Sequence, residues 1–290
     1  MLRRWITAIT TILLSLVLVA CTTTTTQTID TEKKVAERVI SLTSLSSDII
    51  YRLDKTKLVG ITGSSLLDKD SRFKDIAKVS QEQAPPNLEK IVALKPDLVI
   101  ASTEFHSQLL PKLKDLGITT LDYNIKKWDD LAKITKNIGE AIGVDSASLL
   151  ASYDNLLGKP VNETRSTLLL VSNKPILAPN KDSWAGDLLA KFGVKNVAAD
   201  LQGKSPFGGY VTLSAEKVLE ANPEVILLIN SPMGSVLDEF KSESFWSKLK
   251  ATQNNQIHVF DYYGLVNPGS LDKIQEACQK LTEVFDKKQS

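Results

Sequence analysis

The chain has 290 residues, of which 24% are charged and 42% hydrophobic, and its 35 Lys and Arg nearly balance its 34 Asp and Glu. This globular composition excludes a disordered chain, a collagen-like repeat and a disulfide-stapled miniprotein, and the formal net charge of +1 excludes a broad basic face for nucleic acid. At about 100 to 200 residues per domain, the length predicts two modest domains or one large one.

Residues 1–20 predict a secretory signal peptide. Arg3 and Arg4 supply a short positive segment, residues 5–20 are uncharged and mostly apolar, and Cys21 follows the small residue Ala20. A run of 16 residues is short for a membrane-spanning helix, which needs about 20. Cleavage removes two positive charges and leaves 33 Lys and Arg against 34 Asp and Glu, a formal net charge of −1.

The segment that ends at Cys21 resembles the lipobox of bacterial lipoproteins. This resemblance implies that Cys21 is acylated and that its lipid anchors the exported chain to the outer face of the cytoplasmic membrane, in the periplasm or at the cell surface. The threonine-rich residues 21–36 predict a flexible tether between the lipid and the folded part of the chain.

The only other cysteine is Cys278, so no disulfide is expected in the mature chain. It falls on a stripe with helical spacing, formed by Leu271, Ile274, Cys278, Leu281 and Phe285. We therefore predict a small core residue at this position and not a nucleophile.

Beyond the tether, short β-branched segments alternate with amphipathic helical segments as far as Gly143. Strands are predicted at 39–42, 58–61, 97–101 and 119–123. Helices are predicted at 48–53, 87–94 and 106–116, and along a face formed by Leu131, Ile134, Ile138 and Ile142. This alternation is typical of a mostly parallel sheet with helices on both faces.

An internal repeat indicates that the second half of the chain has the same organisation. Residues 88–100 align without gaps with residues 215–227, and each copy is a helix, a proline, an acidic residue and an apolar strand. A second match, in the same order, relates the segment that starts at Asp48 to the segment that starts at Asp187. The repeat predicts two lobes of similar topology.

The first lobe is placed at 37–143, the second at 166–290, and residues 144–165 connect them. Within this connection, the segment from Asp145 to Lys159 has apolar residues at helical spacing and predicts one bridging helix. A single helix restricts the wide hinge closure that two or three extended linkers allow.

Several segments carry a resemblance to a known family: residues 38–42, 57–62, 87–101, 186–189 and 196–198. The sequence NLEKIVALKPDLVIA at 87–101 is the most specific of them. On these residues the chain resembles the periplasmic binding proteins for iron-siderophores and vitamin B12, which are substrate-binding subunits of ABC importers. The similarity extends over nearly the whole mature chain.

This resemblance implies the class III periplasmic binding protein fold. That fold has two Rossmann-like α/β lobes with mainly parallel sheets, joined by a single bridging helix, and a ligand cleft between the lobes. The implied role is that of a monomer that delivers its ligand to an ABC permease dimer with its ATPase subunits. The sequence also lacks the motifs of a nucleophile elbow, a zinc protease, a phosphate loop and a dinucleotide fold, so we do not expect an enzyme.

Ligands of open α/β sheets bind outside the carboxyl ends of the strands. Applied to both lobes, this rule predicts the ligand-binding residues Ser44, Ser65, Arg72, Glu104, His106, Trp184, Phe207, Tyr210 and Tyr263. The aromatic residues among them suit a large, flat or partly apolar ligand with a few polar contacts.

The composition also constrains the ligand. His106 and His258 are the only histidines, so a direct metal site is not expected, and iron is expected to arrive already chelated and without a resident cofactor. The mature chain has only four arginines, and arginine pairs bidentately with carboxylates. A neutral or mildly charged hydroxamate siderophore therefore fits better than ferric citrate, while cobalamin and haem remain alternatives.

Glu89 and Glu216 occupy equivalent positions of the repeat. The family resemblance implies that each docks into an arginine pocket of the permease, and two separated charge contacts fix the orientation of a transient complex. The alternative is that both acids merely face solvent in the first turn of a helix, where the helix dipole favours them. A surface lipoprotein that keeps the fold without a transport role is the remaining alternative for the whole chain.

Overall fold

A computed structural model describes residues 35–81, 84–157, 160–161, 163–205, 207–230 and 236–286. The predicted signal peptide, Cys21 and most of the tether lie outside the described residues. The described residues form one compact unit. Among the described residues, no helix combines the length and hydropathy needed to cross a membrane.

The described residues of the first lobe form five strands and six α-helices. The strands are β1 (Val39–Ser41), β2 (Leu58–Ile61), β3 (Ala77–Lys78), β4 (Leu98–Ser102) and β5 (Thr119–Tyr123). The helices are α1 (Ser44–Asp54), α2 (Ser65–Asp68), α3 (Leu88–Ala93), α4 (Thr103–His106), α5 (Leu110–Asp115) and α6 (Trp128–Ile142). The strands form one parallel sheet in the order β3-β2-β1-β4-β5.

The bridging helix α7 (Ala147–Leu157) leads to the second lobe. The strands of this lobe are β6 (Glu163–Leu170), β7 (Ser172–Asn173), β8 (Ile176–Pro179), β9 (Val194–Asn196), β10 (Tyr210–Leu213), β11 (Val225–Asn230) and β12 (Ile257–Asp261). Its helices are α8 (Trp184–Lys191), α9 (Ala215–Ala221), α10 (Val236–Lys241), α11 (Lys250–Gln253), α12 (Tyr262–Leu265) and α13 (Leu271–Phe285).

The second lobe has a parallel sheet in the order β12-β11-β6-β9 and a small antiparallel sheet in the order β10-β8-β7. The two lobes, their mainly parallel sheets and the bridging helix agree with the predicted fold class. The short antiparallel sheet was not predicted from the sequence.

Both copies of the internal repeat fold alike. Helices α3 and α9 begin at side-chain caps, where Asn87 accepts from the Lys90 amide and Ser214 from the Lys217 amide. In each copy, the helix is followed by a residue in the left-handed conformation directly before the proline. This residue is Lys95 (φ 48°) in the first copy and Asn222 (φ 36°) in the second. The predicted helix, proline stop and buried strand of each copy are confirmed.

One buried apolar cluster runs through both lobes. Val39 on β1 and Leu169 on β6 belong to it, as do Ile49 on α1, Ile274 on α13 and Tyr153 on α7. The outer face of each sheet has a separate cluster. Because successive residues of a strand point to opposite faces, Val39 joins the shared cluster and Ile40 the outer one. The lobes therefore share a core on the side of the bridging helix.

Two helix predictions have different outcomes. Cys278 is 1% exposed and lies on the buried face of α13, and burial raises the pKa of its thiol to about 12. The predicted core position is confirmed. The helix predicted over 106–116 is confirmed only over Leu110–Asp115. Its predicted start is wrong, because residues 107–109 separate α4 from α5, so His106 ends a helix and does not begin one.

Candidate ligand-binding cleft between the lobes

In the first lobe, polar residues follow the carboxyl ends of parallel strands. Ser44 begins α1 directly after β1, and its hydroxyl donates to the Ser64 hydroxyl at 3.0 Å, beyond the end of β2. Ser65 is half-buried in the first turn of α2. The structure therefore brings these predicted serines to one edge of the sheet.

Glu104 and Phe105 lie in the short helix α4, directly after β4. Glu104 is exposed, and the Phe105 ring is 71% exposed. An aromatic ring that finds no place in the core, at the edge of a parallel sheet, is available to a ligand.

In the second lobe, the corresponding edge is formed by Tyr263, after the carboxyl end of β12, and by Phe207 and Tyr210, at the start of β10 in the antiparallel sheet. Phe207 is 54% exposed and packs edge-on against Tyr210, with ring centroids 6.3 Å apart. Tyr263 is half-buried after β12 and packs edge-on against Tyr262 at 5.4 Å. Three of the predicted aromatic residues are thus grouped around two short segments.

These two edges face each other. Burial raises the pKa of Tyr210, and the Glu104 carboxylate of the opposite lobe raises it further. The Lys126 side chain, after β5, approaches Gly208 of the second lobe: its ammonium lies 3.6 Å from the position that a Cβ atom would occupy on this glycine. Leu66 of α2 likewise packs against Gly269 of the second lobe. We refer to the space bounded by these two edges as the cleft.

Trp184 is not a loop residue but the first residue of α8, and it is only 3% exposed. Its indole N–H donates to the Gly264 carbonyl at 2.8 Å, and its ring stacks on Trp128. Gly264 has a φ of 97°, and a Cβ there would stand 2.0 Å from the Lys273 carbonyl oxygen. Because its ring and N–H are both engaged, we assign Trp184 to the floor beneath the cleft and not to ligand contact.

Arg72 is also engaged elsewhere. Its guanidinium binds Asp48 at 2.9 Å, Asp70 at 2.6 Å and Asp272 at 2.9 Å. The hydrogen bonds to Asp70 raise the pKa of the Arg72 guanidinium above the ordinary arginine value. Three carboxylates saturate this guanidinium, so we do not include Arg72 among the ligand-binding residues.

The other arginines of the described residues are bonded within the protein as well. Arg38 donates to the carbonyls of Leu94 and Lys95, and Arg52 pairs with Asp48 and Asp272. Arg165 donates to Gln256 and lies over the Phe285 ring. The cleft therefore offers an acid, Glu104, and a lysine, Lys126, but no unengaged arginine among the residues described.

His106 is 8% exposed, and its Nδ1 accepts from the Ser102 amide at 3.1 Å. Burial lowers the pKa of the imidazole. The neutral imidazole therefore stabilises the turn between β4 and α4. We assign it the role of positioning Glu104 and Phe105 and not that of a ligand contact.

Glu89 and Glu216 are both exposed in the first turns of α3 and α9. Hydrogen bonds from its own amide and from Ser214 lower the pKa of Glu216. The two acids thus share a position in the two lobes, as the repeat predicts.

Sequence reasoning missed several contributors to the cleft. Lys126 carries no motif, and only its place three residues after the predicted end of a strand points to the cleft. The inter-lobe bonds of Asp48 and Asp187 were missed as well, although the repeat pairs these two residues.

A separate depression of about 270 Å³ lies along α7 and not at the strand ends. Its lining includes Arg52, Ser152, Asn155 and Asp272. Because Arg52 and Asp272 are paired with each other at 2.7 Å, we assign no ligand to it.

Comparison with known proteins identifies the family. The sequence profile described as "Periplasmic binding protein" matches residues 39–262, most of the chain. The chain belongs to this family. The uncharacterized ABC transporter substrate-binding lipoprotein YvrC of Bacillus subtilis (strain 168) is 28% identical, over 87% of this chain and 81% of that protein. The vitamin B12-binding protein of Vibrio cholerae is 26% identical, over 85% of this chain and 89% of that protein.

Solved structures agree with the fold assignment. Staphylococcus aureus SirA, complexed with staphyloferrin B, superposes on this family member with a TM-score of 0.69 and 23% sequence identity. The match covers 88% of this chain and 94% of SirA. At this identity the likeness establishes the two-lobed fold and leaves the ligand to be argued from the residues of the cleft.

Proposed function

We propose that this substrate-binding protein of an ABC importer captures a ferric siderophore of low net charge in the cleft and delivers it to its permease. One observation supports this choice of ligand: the guanidinium groups already bind other groups of the protein, and this holds for Arg38, Arg52, Arg72 and Arg165. A strongly anionic chelate needs cationic partners when it leaves water, and a guanidinium that is already saturated does not supply them.

The aromatic side chains support a bulky and partly apolar ligand. Phe105 of the first lobe and Phe207 of the second are the most exposed large apolar residues of the described chain. Exposure of such rings on both sides of one cleft is costly unless a ligand covers them. Ser44, Ser65, Glu104, Tyr210 and Tyr263 supply the polar contacts of the proposed site.

Cobalamin and haem are the alternative ligands, since both are large, flat and partly apolar. The Vibrio cholerae relative is named as a vitamin B12-binding protein, and the SirA structure is a complex with staphyloferrin B. A surface lipoprotein without a transport role is the alternative of a different class.

Delivery and anchoring complete the proposal. Glu89 and Glu216 are proposed to dock on the two halves of the permease, because each is an exposed acid at the same position of its lobe. Lipid on Cys21 is proposed to hold the monomer at the outer face of the cytoplasmic membrane, with residues 21–36 as the tether. No direct metal ligand, resident cofactor or catalytic activity forms part of this proposal.

Fluorescence titration tests the ligand. The full chain is titrated with ferrichrome as a neutral ferric hydroxamate, ferric citrate, haemin and cyanocobalamin, and N-acetyltryptophanamide is titrated in parallel to correct for absorption by the coloured probes. The stacked pair Trp128 and Trp184 beneath the cleft serves as the reporter.

We expect saturable quenching by ferrichrome and none by ferric citrate. Saturation by haemin or cyanocobalamin alone would replace the siderophore with that ligand. Saturation by ferric citrate would overturn the argument from the arginines. No response to any probe would favour the lipoprotein without a transport role.

A further inference from the structure

Each lobe lends one carboxylate to the last helix of the other lobe. Asp187 of the second lobe accepts from the amide of Trp128, the first residue of α6, at 2.8 Å. Asp48 of the first lobe accepts from the amide of Leu271, the first residue of α13, at 2.8 Å. The first amides of a helix have no partner inside the helix, and its dipole favours a negative charge there.

The two bonds are related by the internal repeat. Asp48 and Asp187 begin the matched segments of the two lobes, and each lies in the first helix of its lobe, α1 and α8. Helices α6 and α13 each have 15 residues. The contact between the lobes is therefore reciprocal: each lobe supplies a carboxylate that caps a helix of the other lobe.

The two caps differ in their surroundings. Asp48 is fully buried, and Arg52 and Arg72 bind it together with the Leu271 amide. Asp272, the next residue of α13, binds both arginines at 2.7 and 2.9 Å. On this side, a cluster of acids and arginines crosses from one lobe to the other.

The polar contacts on the Asp187 side are fewer, although Trp128 also stacks there on Trp184 of the second lobe. Within the described ranges, Asp187 is half-buried, accepts one hydrogen bond and forms no ion pair. Nearby, Lys191 of α8 pairs with Asp129 of α6 at 3.2 Å, but the Asp129 side chain is 83% exposed, and such exposed pairs contribute little. The Asp48 side thus has the stronger polar attachment of the two.

Both caps lie directly beneath the cleft. Trp128 stands two residues after Lys126 at the wall of the first lobe, and Leu271 stands two residues after Gly269, which Tyr263 and Leu66 contact. A change in either bond therefore shifts a wall of the cleft.

We propose that Asp48 and Asp187 are positioning residues that set the separation of the two walls, with Asp48 as a fixed pivot and Asp187 as a releasable latch. Opening of the cleft then breaks the Asp187 bond to Trp128, separates the Trp128 and Trp184 rings, and leaves the Asp48 bond to Leu271 intact. The functional importance of the wall separation rests on the proposed role of the cleft as the ligand site. Which of the two hydrogen bonds breaks on opening does not depend on a ligand.

The test measures distances without any ligand, so failure of the proposed function leaves it intact. In the full chain with Cys21→Ser, Gln108→Cys and Gln202→Cys place nitroxide labels on exposed positions of the two lobes. The parent without these two cysteines gives the background from the buried Cys278. Asp187→Ala is compared with Asp187→Asn, which keeps a side-chain acceptor, and with Asp129→Ala, which removes an exposed charge from the same interface.

We expect Asp187→Ala to lengthen and broaden the label-to-label distance measured by double electron–electron resonance. Asp187→Asn and Asp129→Ala should both keep the distribution of the parent. An unchanged distribution in Asp187→Ala, or an equal change in Asp129→Ala, would overturn the latch.

Amide hydrogen exchange tests the pivot in the same variants. In Asp187→Ala, the Trp128 amide should exchange at least about tenfold faster, equivalent to about 1.4 kcal/mol, because it loses a hydrogen bond to a charged group. The Leu271 amide should keep its protection. Equal loss of protection at Leu271 would overturn the role of Asp48 as the pivot. Asp48→Asn is not used alone, because it leaves two arginines facing a neutral buried group and is expected to destabilise the fold.

Discussion

The indole rings of Trp128 and Trp184 stack across the two lobes, with centroids 5.8 Å apart and planes inclined by 18°. Trp128 also packs edge-on against Tyr153 of the bridging helix, whose hydroxyl is 2.6 Å from the Thr135 hydroxyl. Three aromatic residues thus join the first lobe, the bridging helix and the second lobe beneath the cleft.

This arrangement predicts a large stability loss for Trp184→Ala. The substitution opens a cavity in the shared core and removes the bond to the Gly264 carbonyl, so we expect a loss of about 3 to 5 kcal/mol in the free energy of unfolding. Urea unfolding followed by circular dichroism measures it. Phe207→Ala, at a ring that is 54% exposed, is the control and should change stability by no more than about 0.5 kcal/mol. Comparable losses in the two variants would contradict the assignment of Trp184 to the floor of the cleft.

The lowered pKa of His106 predicts a dependence of stability on pH. Burial disfavours the imidazolium in the folded state, and a proton on Nδ1 would break the bond that it accepts from the Ser102 amide. The unfolded chain, where the ordinary value is 6.5, therefore binds more protons over this range. The contribution of His106 to stability is complete above about pH 6.5 and is lost as the pH falls from there towards its lower folded value.

Urea unfolding of the parent and of His106→Gln at several pH values isolates this contribution, since His258 and the carboxylates are unchanged. The stability difference between parent and variant should favour the parent more at pH 8 than at pH 5. A difference that is constant with pH would show that the imidazole is not protected from protonation.

The sequence predicts the fold in most of its parts because hydrophobic periodicity and the repeat are local signals. Gly143 shows this clearly, since the predicted end of the helix coincides with a left-handed cap at φ 70°. The split between α4 and α5 escaped prediction because His106 satisfies a backbone amide through its side chain, and no periodicity records such a bond.

The cleft is predicted less completely, for a physical reason. Strand order indicates which edge carries the ligand, but it does not indicate which charges are already engaged. Arg72 lies in the right loop, yet Asp48 and Asp272, far away in sequence, bind it in addition to its neighbour Asp70 and complete its saturation. Trp184 lies at the right strand end, yet its partner Trp128 comes from the other lobe. Contacts between the lobes decide both cases, and no local pattern encodes them.

The two exposed phenylalanines predict a loss of ligand affinity without loss of stability. Phe105→Ala and Phe207→Ala each remove a ring from one wall of the cleft, and we expect each to weaken binding of the saturating probe about tenfold or more. Fluorescence titration gives the affinity and urea unfolding the stability. Leu116→Ala, 53% exposed at the end of α5 and outside the strand ends of the cleft, is the control and should leave the affinity unchanged. An unchanged affinity in both phenylalanine variants would place the ligand elsewhere.

The two equivalent glutamates predict a separation of ligand binding from transport. Glu89→Ala combined with Glu216→Ala removes one exposed acid from each lobe, and we expect uptake of radioactive iron from the saturating chelate by whole cells to be lost. Ligand affinity should stay within about twofold, because neither residue lies at the strand ends that form the cleft. The control pair Asp115→Ala and Glu220→Ala removes the same charge from exposed helix positions of the two lobes and should leave uptake unchanged. Normal uptake in the double variant, or equal loss in the control, would contradict docking through these two residues, because a general effect of surface charge would act on both pairs alike.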